Sequence, residues 1–549
     1  MPAGSEPPSS RSGVWAERLW LREWLLLAPT LLWLMLDRRP WSWDPAWYGE
    51  VSCDLWWTLT HQPAAWGPMM LAAFGIKAPA IAWLAQFLTP FGHRLGSVDD
   101  GLMLLPLLAA AATLRLWFHL GRALWGGDVR GGWAFALLGA GAPLFVGITH
   151  QFFVEPLQLL GVTGLWWLAL IGPRQPRLRQ ALGVAGASVF LVAVKVTSPA
   201  FAAVPFLLAA WSVARPARPW LAPTRAGRWA DAGLLLLVVG AAALTLAWYA
   251  RNLGALREFV AFAAQDSSSL IYGQRPAFWT KWGFWLPAVH REFFNPLVGF
   301  ALLPLAAACA LPALRRRLEP RPPAGGMLAG AGLLQVLLVL WGFSLQIPEI
   351  TRYSLPLLVS ALLPLVWLLS LGPRRWLAPA ALALIAGQWL WSHGTALGLL
   401  PVAPRGSEWL VRADPDPSYG QELDALIAQT TTPATAYRYQ VNGYELPWLN
   451  ANTLSFHAAK QRLRTGIRAY YTSLGYGATD PVAAYRRVID MQADTFISLD
   501  TAWHEPKPAF MNQTALAVLE QIRANPDFVP ETFYNQHHIV LYRRNPKPH

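Results

Sequence analysis

The sequence predicts an α-helical polytopic membrane protein with a soluble α/β domain at its C-terminal end, and three observations carry that expectation. Of the 549 residues, 54% are hydrophobic and 14% charged, against roughly 25% charged in ordinary soluble domains. The apolar residues gather in long runs from about Trp24 to Leu400, after which the text turns polar and mixed. Basic residues cluster between those runs: Arg11/Arg18/Arg22, Arg122/Arg130, Arg174/Arg177/Arg179, Arg215/Arg218/Arg225/Arg228, Arg315/Arg316/Arg317/Arg321 and Arg374/Arg375. Such clusters keep their loops in the cytoplasm. The net charge of +13 therefore reports orientation and argues against a nucleic-acid partner.

The chain begins with a Pro/Ser-rich stretch over residues 1–22, read as a cytoplasmic tail. It has no small-residue cleavage site, so the first apolar run reads as a retained helix. A spanning helix takes about 20 apolar residues. Spans are expected at 23–36, 102–120, 132–148, 156–171, 181–194, 199–213, 231–249, 296–314, 326–345, 353–371 and 376–397, about eleven within a membrane domain over 23–400. With the basic clusters inside, the outer face receives the loops 37–100, 149–155, 251–295 and 346–352 and the turn at Lys195. An odd number of spans also places the soluble domain, 401–549, outside.

In the first outer loop, "WSWDPAWYGEVSCDLWW" (41–57) is too interrupted to span. Trp47, Val51 and Leu55 recur every four residues with Glu50 and Asp54 on the adjoining face, the pattern of a helix lying in the membrane interface. Beyond residue 401, helical text at 419–429, 481–491 and 515–524 alternates with strand-like runs at 495–499 and 539–542, which suggests a small α/β module. The two cysteines, Cys53 and Cys309, supply neither a disulfide framework nor a metal site.

Ionisable groups beside spans are costly and point to function. Asp44, Lys77 of "GIKAPAIAWLAQF", Glu155, Lys195 and Arg352 all fall at outer helix ends. The chain has six lysines against thirty-eight arginines, so Lys77 and Lys195 stand out as compact charges suited to an oxyanion. Each residue also has a plainer use. Glu155 could cap a helix, the lysines and Arg352 could anchor helices by snorkelling, and Asp44 could make a turn before Pro45. Together, two carboxylates and several cations on one face supply a general base and a clamp for a phosphate leaving group. Asp266, beside Gln265 in the 251–295 loop, or Glu155 would suit a hard divalent cation as oxygen ligands. His150, His290 and Glu292 lie in the same outer region and read as structural.

The order of these features resembles the polytopic GT-C glycosyltransferases, in the group that includes lipid A aminoarabinose transferase and protein O-mannosyltransferases. The matching text is Asp44-Pro45-Ala46-Trp47-Tyr48 in an acidic first loop, then the lysine motif at Lys77. Gly121-Arg122-Ala123-Leu124-Trp125-Gly126, Glu155-Pro156, Lys195 to Pro199 and Arg352-Tyr353-Ser354-Leu355-Pro356 follow in order. Departures are Ala78 where the first proline of the lysine motif is usual, and Thr197-Ser198 where glycine is usual. Gln265-Asp266 stands where a metal-binding histidine is expected, which shifts any Mg or Mn site to Glu155 and Asp266.

The resemblance implies a GT-C fold in a bacterial cytoplasmic (inner) membrane and transfer of a sugar from a polyprenyl-phosphate donor to an acceptor lipid, glycan or protein. It implies Asp44 as base, Glu155 assisting, and Lys77 with Lys195 or Arg352 on the departing phosphate. Trp47 and Tyr48 would line the substrate route. Topology agrees independently, since nucleotide sugars are cytoplasmic and the chain has no phosphate-binding glycine loop or dinucleotide fingerprint. Two alternatives stay open: a ligase or polymerase using a lipid-diphosphate glycan, and a transporter or flippase of lipid-linked glycans.

Overall fold

The computed structural model describes residues 21–171, 175–215, 219–222, 224–264, 277–315, 323–346, 349–372, 377–402, 406–475 and 477–545. Gln265, Asp266 and nearly all of the 1–22 tail lie outside them. A helix lies over each of the eleven apolar segments, from Leu21–Leu36 to Leu377–Ala396. Among the described residues, five helices are long and apolar enough to cross a bilayer: Val98–Leu124, Arg177–Val194, Arg225–Phe262, Gly325–Ser344 and Thr351–Ser370. Two bent pairs raise that number to seven, Val129–Ala140 with Pro143–Thr149 at 64° and Phe278–Phe293 with Pro296–Cys309 at 97°.

These numbers count helices by length and apolarity over the described residues, and breaks within the segments lower them. Pro143 and Pro296 start new helices, because a ring without an N–H cannot continue the ladder behind it. Leu21–Leu36, Glu155–Ile171, Ser198–Ala214 and Leu377–Ala396 are the remaining apolar helices, with 16, 17, 17 and 20 described residues, and the first, second and fourth border residues outside the described set. The 231–249 segment belongs instead to a 40-residue helix, Arg225–Ala264, which runs into the stretch expected as an outer loop.

The motif at 121–126 has a packing explanation. A Cβ on Gly121 would lie 2.1 Å from the Gly131 carbonyl oxygen, so glycine is what lets Val98–Leu124 and Val129–Ala140 meet backbone to backbone. Gly126 and Gly127, at φ 67° and 96°, make the left-handed reversal between them.

The first outer loop folds into four short helices, Trp43–His61, Pro63–Ala72, Ala80–Ala85 and Thr89–Leu95. Trp43–His61 buries Ala46, Tyr48, Cys53, Leu55 and Trp57. It packs against a helix of the C-terminal module, Ala451–Thr465, so part of the surface that the sequence assigns to the membrane interface is covered by protein.

That module is a five-stranded sheet ordered β2-β1-β3-β5-β4, with β1 Tyr439–Asn442, β2 Tyr470–Ser473, β3 Thr495–Leu499, β4 Phe528–Glu531 and β5 Ile539–Arg544. β1 pairs in parallel with β2 and β3, whereas β5 is antiparallel to both β3 and β4. Thr-Phe-Ile-Ser-Leu of β3 is buried along its whole length, as a strand covered on both faces must be. Ile497 and Leu499 pack with Leu423, Leu426 and Leu454 on one face, and Phe496 packs with Val488, Val518 and Ile522 on the other. The helix Ala451–Thr465 is set by its ends. The Asn450 side chain accepts from the Thr453 N–H, and Gly466 closes the last turn at φ 75°.

Candidate active site

Five residues from separate segments meet in one linked cluster. Asp44 stands in the first turn of Trp43–His61. Lys77 is returned to it by a tight bend in which Phe74 and Gly75 have φ of 62° and 70°. Glu155 begins the helix Glu155–Ile171, and Lys195 follows Arg177–Val194 in extended conformation. Arg352 lies on the 3-10 turn Thr351–Leu357.

The Lys77 ammonium donates to Asp44 Oδ1, and Arg352 Nη2 donates to Asp44 Oδ2 at 2.7 Å. Lys195 Nζ donates to Glu155 Oε1 at 2.9 Å, and Arg352 Nε lies 3.7 Å from the same oxygen. Arg352 thus bridges the two carboxylates. Glu155 is buried, and its Oε2 has no hydrogen-bond partner among the described residues.

Aromatic rings support every cation. Lys77 sits 4.7 Å from the Trp47 ring centre and 5.1 Å from that of Tyr48. Lys195 lies 4.0 Å above Tyr353, and Arg352 packs on Phe153 at 4.3 Å and Trp409 at 5.6 Å. Ring faces attract cations without neutralising them. Trp409 is fixed in turn, its indole donating to the Thr351 hydroxyl at 2.8 Å, which donates to Glu408 at 2.6 Å.

Electrostatics follow from this arrangement. Burial works to raise the Asp44 carboxyl, but Lys77 and Arg352 overcome it and hold the group well below the usual carboxylate range. Burial, aided by Asp44, pushes the Tyr48 phenol well up. Tyr48 therefore stays neutral, wedged edge to face against Phe74 at 5.4 Å. Trp47 meets Phe74 in the same way.

The histidines and acid read as structural stay apart from the cluster. His150 stacks on Trp33 at 4.1 Å, and His290 lies against Phe294 and Phe300. Glu292 accepts a hydrogen bond from Ser407. Among the described residues no three His, Cys, Asp or Glu side chains converge to hold a metal. Lys195 and Arg352 both contact Glu155 at Oε1, which leaves Oε2 as its one unpartnered oxygen among the described residues; Asp266, the other ligand expected for Mg or Mn, lies outside them.

Phe153, Trp409 and Glu408 carry no mark in the motifs, whereas Tyr353 stands inside the Arg352 motif with no role assigned to it. Phe153 lies two residues before Glu155, and that nearness is its one local signal. Trp409 and Glu408 sit more than fifty residues beyond Thr351, with nothing in their text to mark them.

No protein-family model matches the chain, and no curated protein matches it. Among solved structures it is similar to the crystal structure of ArnT from Cupriavidus metallidurans in the apo state. The TM-score is 0.57 over 96% of this chain and 98% of that chain, at 16% identity. At that identity the likeness is one of fold: a helical, multi-span architecture with a C-terminal α/β module, shared along nearly the whole of both chains.

Proposed function

We propose that the protein is a membrane glycosyltransferase that moves a sugar from a polyprenyl-phosphate donor to an acceptor hydroxyl on the outer side of a bacterial inner membrane. The observation that carries the reading is the cluster of two carboxylates and three cations at one place. The ArnT-like fold and the placing of basic clusters between the apolar runs support it.

The acceptor oxygen attacks the anomeric carbon while Asp44 takes its proton. The carbon–oxygen bond to the phosphate breaks on the opposite face, with inversion, and its electron pair leaves on the phosphate oxygen. Lys77, Lys195 and Arg352 stabilise that developing charge in a site walled by rings, where fixed cations act strongly. Asp44 bound by two cations is a weak base. A donor phosphate draws Lys77 and Arg352 toward itself, and the carboxylate regains basicity as the substrate arrives. Glu155 holds Lys195 and Arg352 in place, and its unpaired Oε2 is suited to accept from a substrate hydroxyl. Trp47 and Tyr48 take part by supporting Lys77 at the edge of the substrate route. No step is assigned to a metal.

The purified protein is assayed with a panel of polyprenyl-phosphate sugars and lipid, glycan and protein acceptors. Transfer that Asp44→Asn and Glu155→Gln abolish supports the reading, and undiminished transfer by both variants sinks it. The gathering of three cations favours one second reading, a ligase or polymerase using a lipid diphosphate, whose extra charge they could also match. Turnover of diphosphate and not monophosphate donors in the same panel would select it.

A further inference from the structure

The Trp43–His61 helix carries a second set of ion pairs. Its Glu50 and Asp54 are both bound by the Arg468 guanidinium, one nitrogen to each. Arg462 reaches Asp54 at 3.5 Å and lies 3.5 Å above the Trp57 ring. Both arginines come from the C-terminal module, Arg462 from the last turn of Ala451–Thr465 and Arg468 from the approach to β2.

The same module grips the residues leading into Asp44. Trp41 is stacked between Phe152 at 5.1 Å and Phe456 at 5.0 Å, with ring planes within 18° and 10°. Phe152 lies just before Glu155, so one sandwich ties both carboxylate segments to the module. The Thr453 hydroxyl donates to the Trp41 carbonyl at 2.7 Å. A Cβ on Gly49 would come within 2.7 Å of the Phe456 ring, so the two helices touch without room for a side chain.

Trp43, directly before Asp44, has φ 33°. A bulky residue keeps a left-handed backbone where its surroundings force it. Its indole nitrogen is buried, with no hydrogen-bond partner among the described residues.

We propose that the C-terminal module is a positioning part of the transfer site, in which Arg468 and Phe456 hold the 41–54 segment so that Asp44 stays in register with Lys77, Arg352 and Glu155. The kinetic arm of its test rests on the transferase reading; the exchange arm does not.

Full-length wild type is compared with Phe456→Leu, Arg468→Lys, whose ammonium lacks the rigid two-nitrogen fork that reaches Glu50 and Asp54, and Asp44→Asn. Each positioning variant should lower kcat about tenfold or more while the donor KM moves less than about twofold. Added to Asp44→Asn, Phe456→Leu should cost nothing further, because both act through one group. Amide exchange across residues 45–54 should quicken about tenfold in both variants while Val98–Leu124 is unaffected. A further loss on top of Asp44→Asn, a rise confined to KM, or unchanged exchange at 45–54 overturns the proposal. If wild type moves sugar from no donor, the transferase reading fails, and the exchange measurement alone decides the positioning role.

Discussion

At the start of the Trp43–His61 helix, Asp44 with nearby Glu155 faces Lys77, Lys195 and Arg352; further along, Glu50 and Asp54 face Arg462 and Arg468. The second set is balanced, two charges against two, and Arg468 keeps 6% of its side-chain surface. The first has one cation in excess, and Asp44, Lys77 and Lys195 remain 26%, 23% and 21% exposed. A balanced and desolvated set has no charge left to offer, and its worth is in fixing one element against another. An open set with surplus positive charge between ring faces draws an anion toward it. The same residue types thus make a closed joint in one place and, on the transferase reading, a receiving site for an anion in the other.

The comparison breaks if acids from the two sets respond alike. Asp44→Asn should lower kcat by about 10²–10⁴-fold, measured in single turnovers with a saturating donor, while the thermal transition stays in place. Asp54→Asn should reverse the order, costing about 1.5–3 kcal/mol of stability in a melt and far less in kcat. Next in size is Arg352→Lys. One ammonium cannot bridge Asp44 and Glu155 while lying flat on Phe153 and Trp409. Donor affinity should weaken by about 10–100-fold, the equivalent of a charge-assisted hydrogen bond, read as the dissociation constant for polyprenyl phosphate.

What could be read from the chain follows the range of each interaction. Apolar runs and prolines are local, so all eleven helical segments were legible; their lengths and bends were less so. Asp44, Lys77, Glu155, Lys195 and Arg352 could be gathered on one face because basic clusters order the loops, a rule that works across the whole chain. In the module, Thr495–Leu499 and Ile539–Tyr542 show as dense β-branched and aromatic runs. Tyr439–Asn442 and Tyr470–Ser473 are four residues each, too short for an alternation to register. Ala451–Thr465 hides its apolar face behind lysine and arginines. Arg468 meets Glu50 across 418 positions, and nothing in either neighbourhood names the other. Glu50 and Asp54 therefore read as the wet face of an interfacial helix, when in the fold they are the joint to the module.

Two smaller effects sharpen the picture of that joint. Gly49→Ala favours the helix by up to about 1 kcal/mol but drives a methyl into the Phe456 ring, already confined by Trp41. Overpacking of this kind costs about 1–3 kcal/mol, so the melt should fall slightly, together with the quickened exchange at 45–54.

The smallest effect is a pH dependence on the module side. His457, next to Phe456, is buried with its Nδ1 2.7 Å from Asp424 Oδ1. Burial holds it below its ordinary 6.5, and Lys460 adds to that, while Asp424 and Asp99 work against it. The unfolded chain therefore binds a proton that the folded module resists. Stability contributed by neutral His457 is intact above about 6.5 and declines as pH falls below that value. His457→Gln should flatten this part of the melting profile between pH 7.5 and 5 without moving the Asp44 cluster. A wild-type profile already flat there would remove the acid sensitivity, and a Gln variant that keeps the slope would place it on another group.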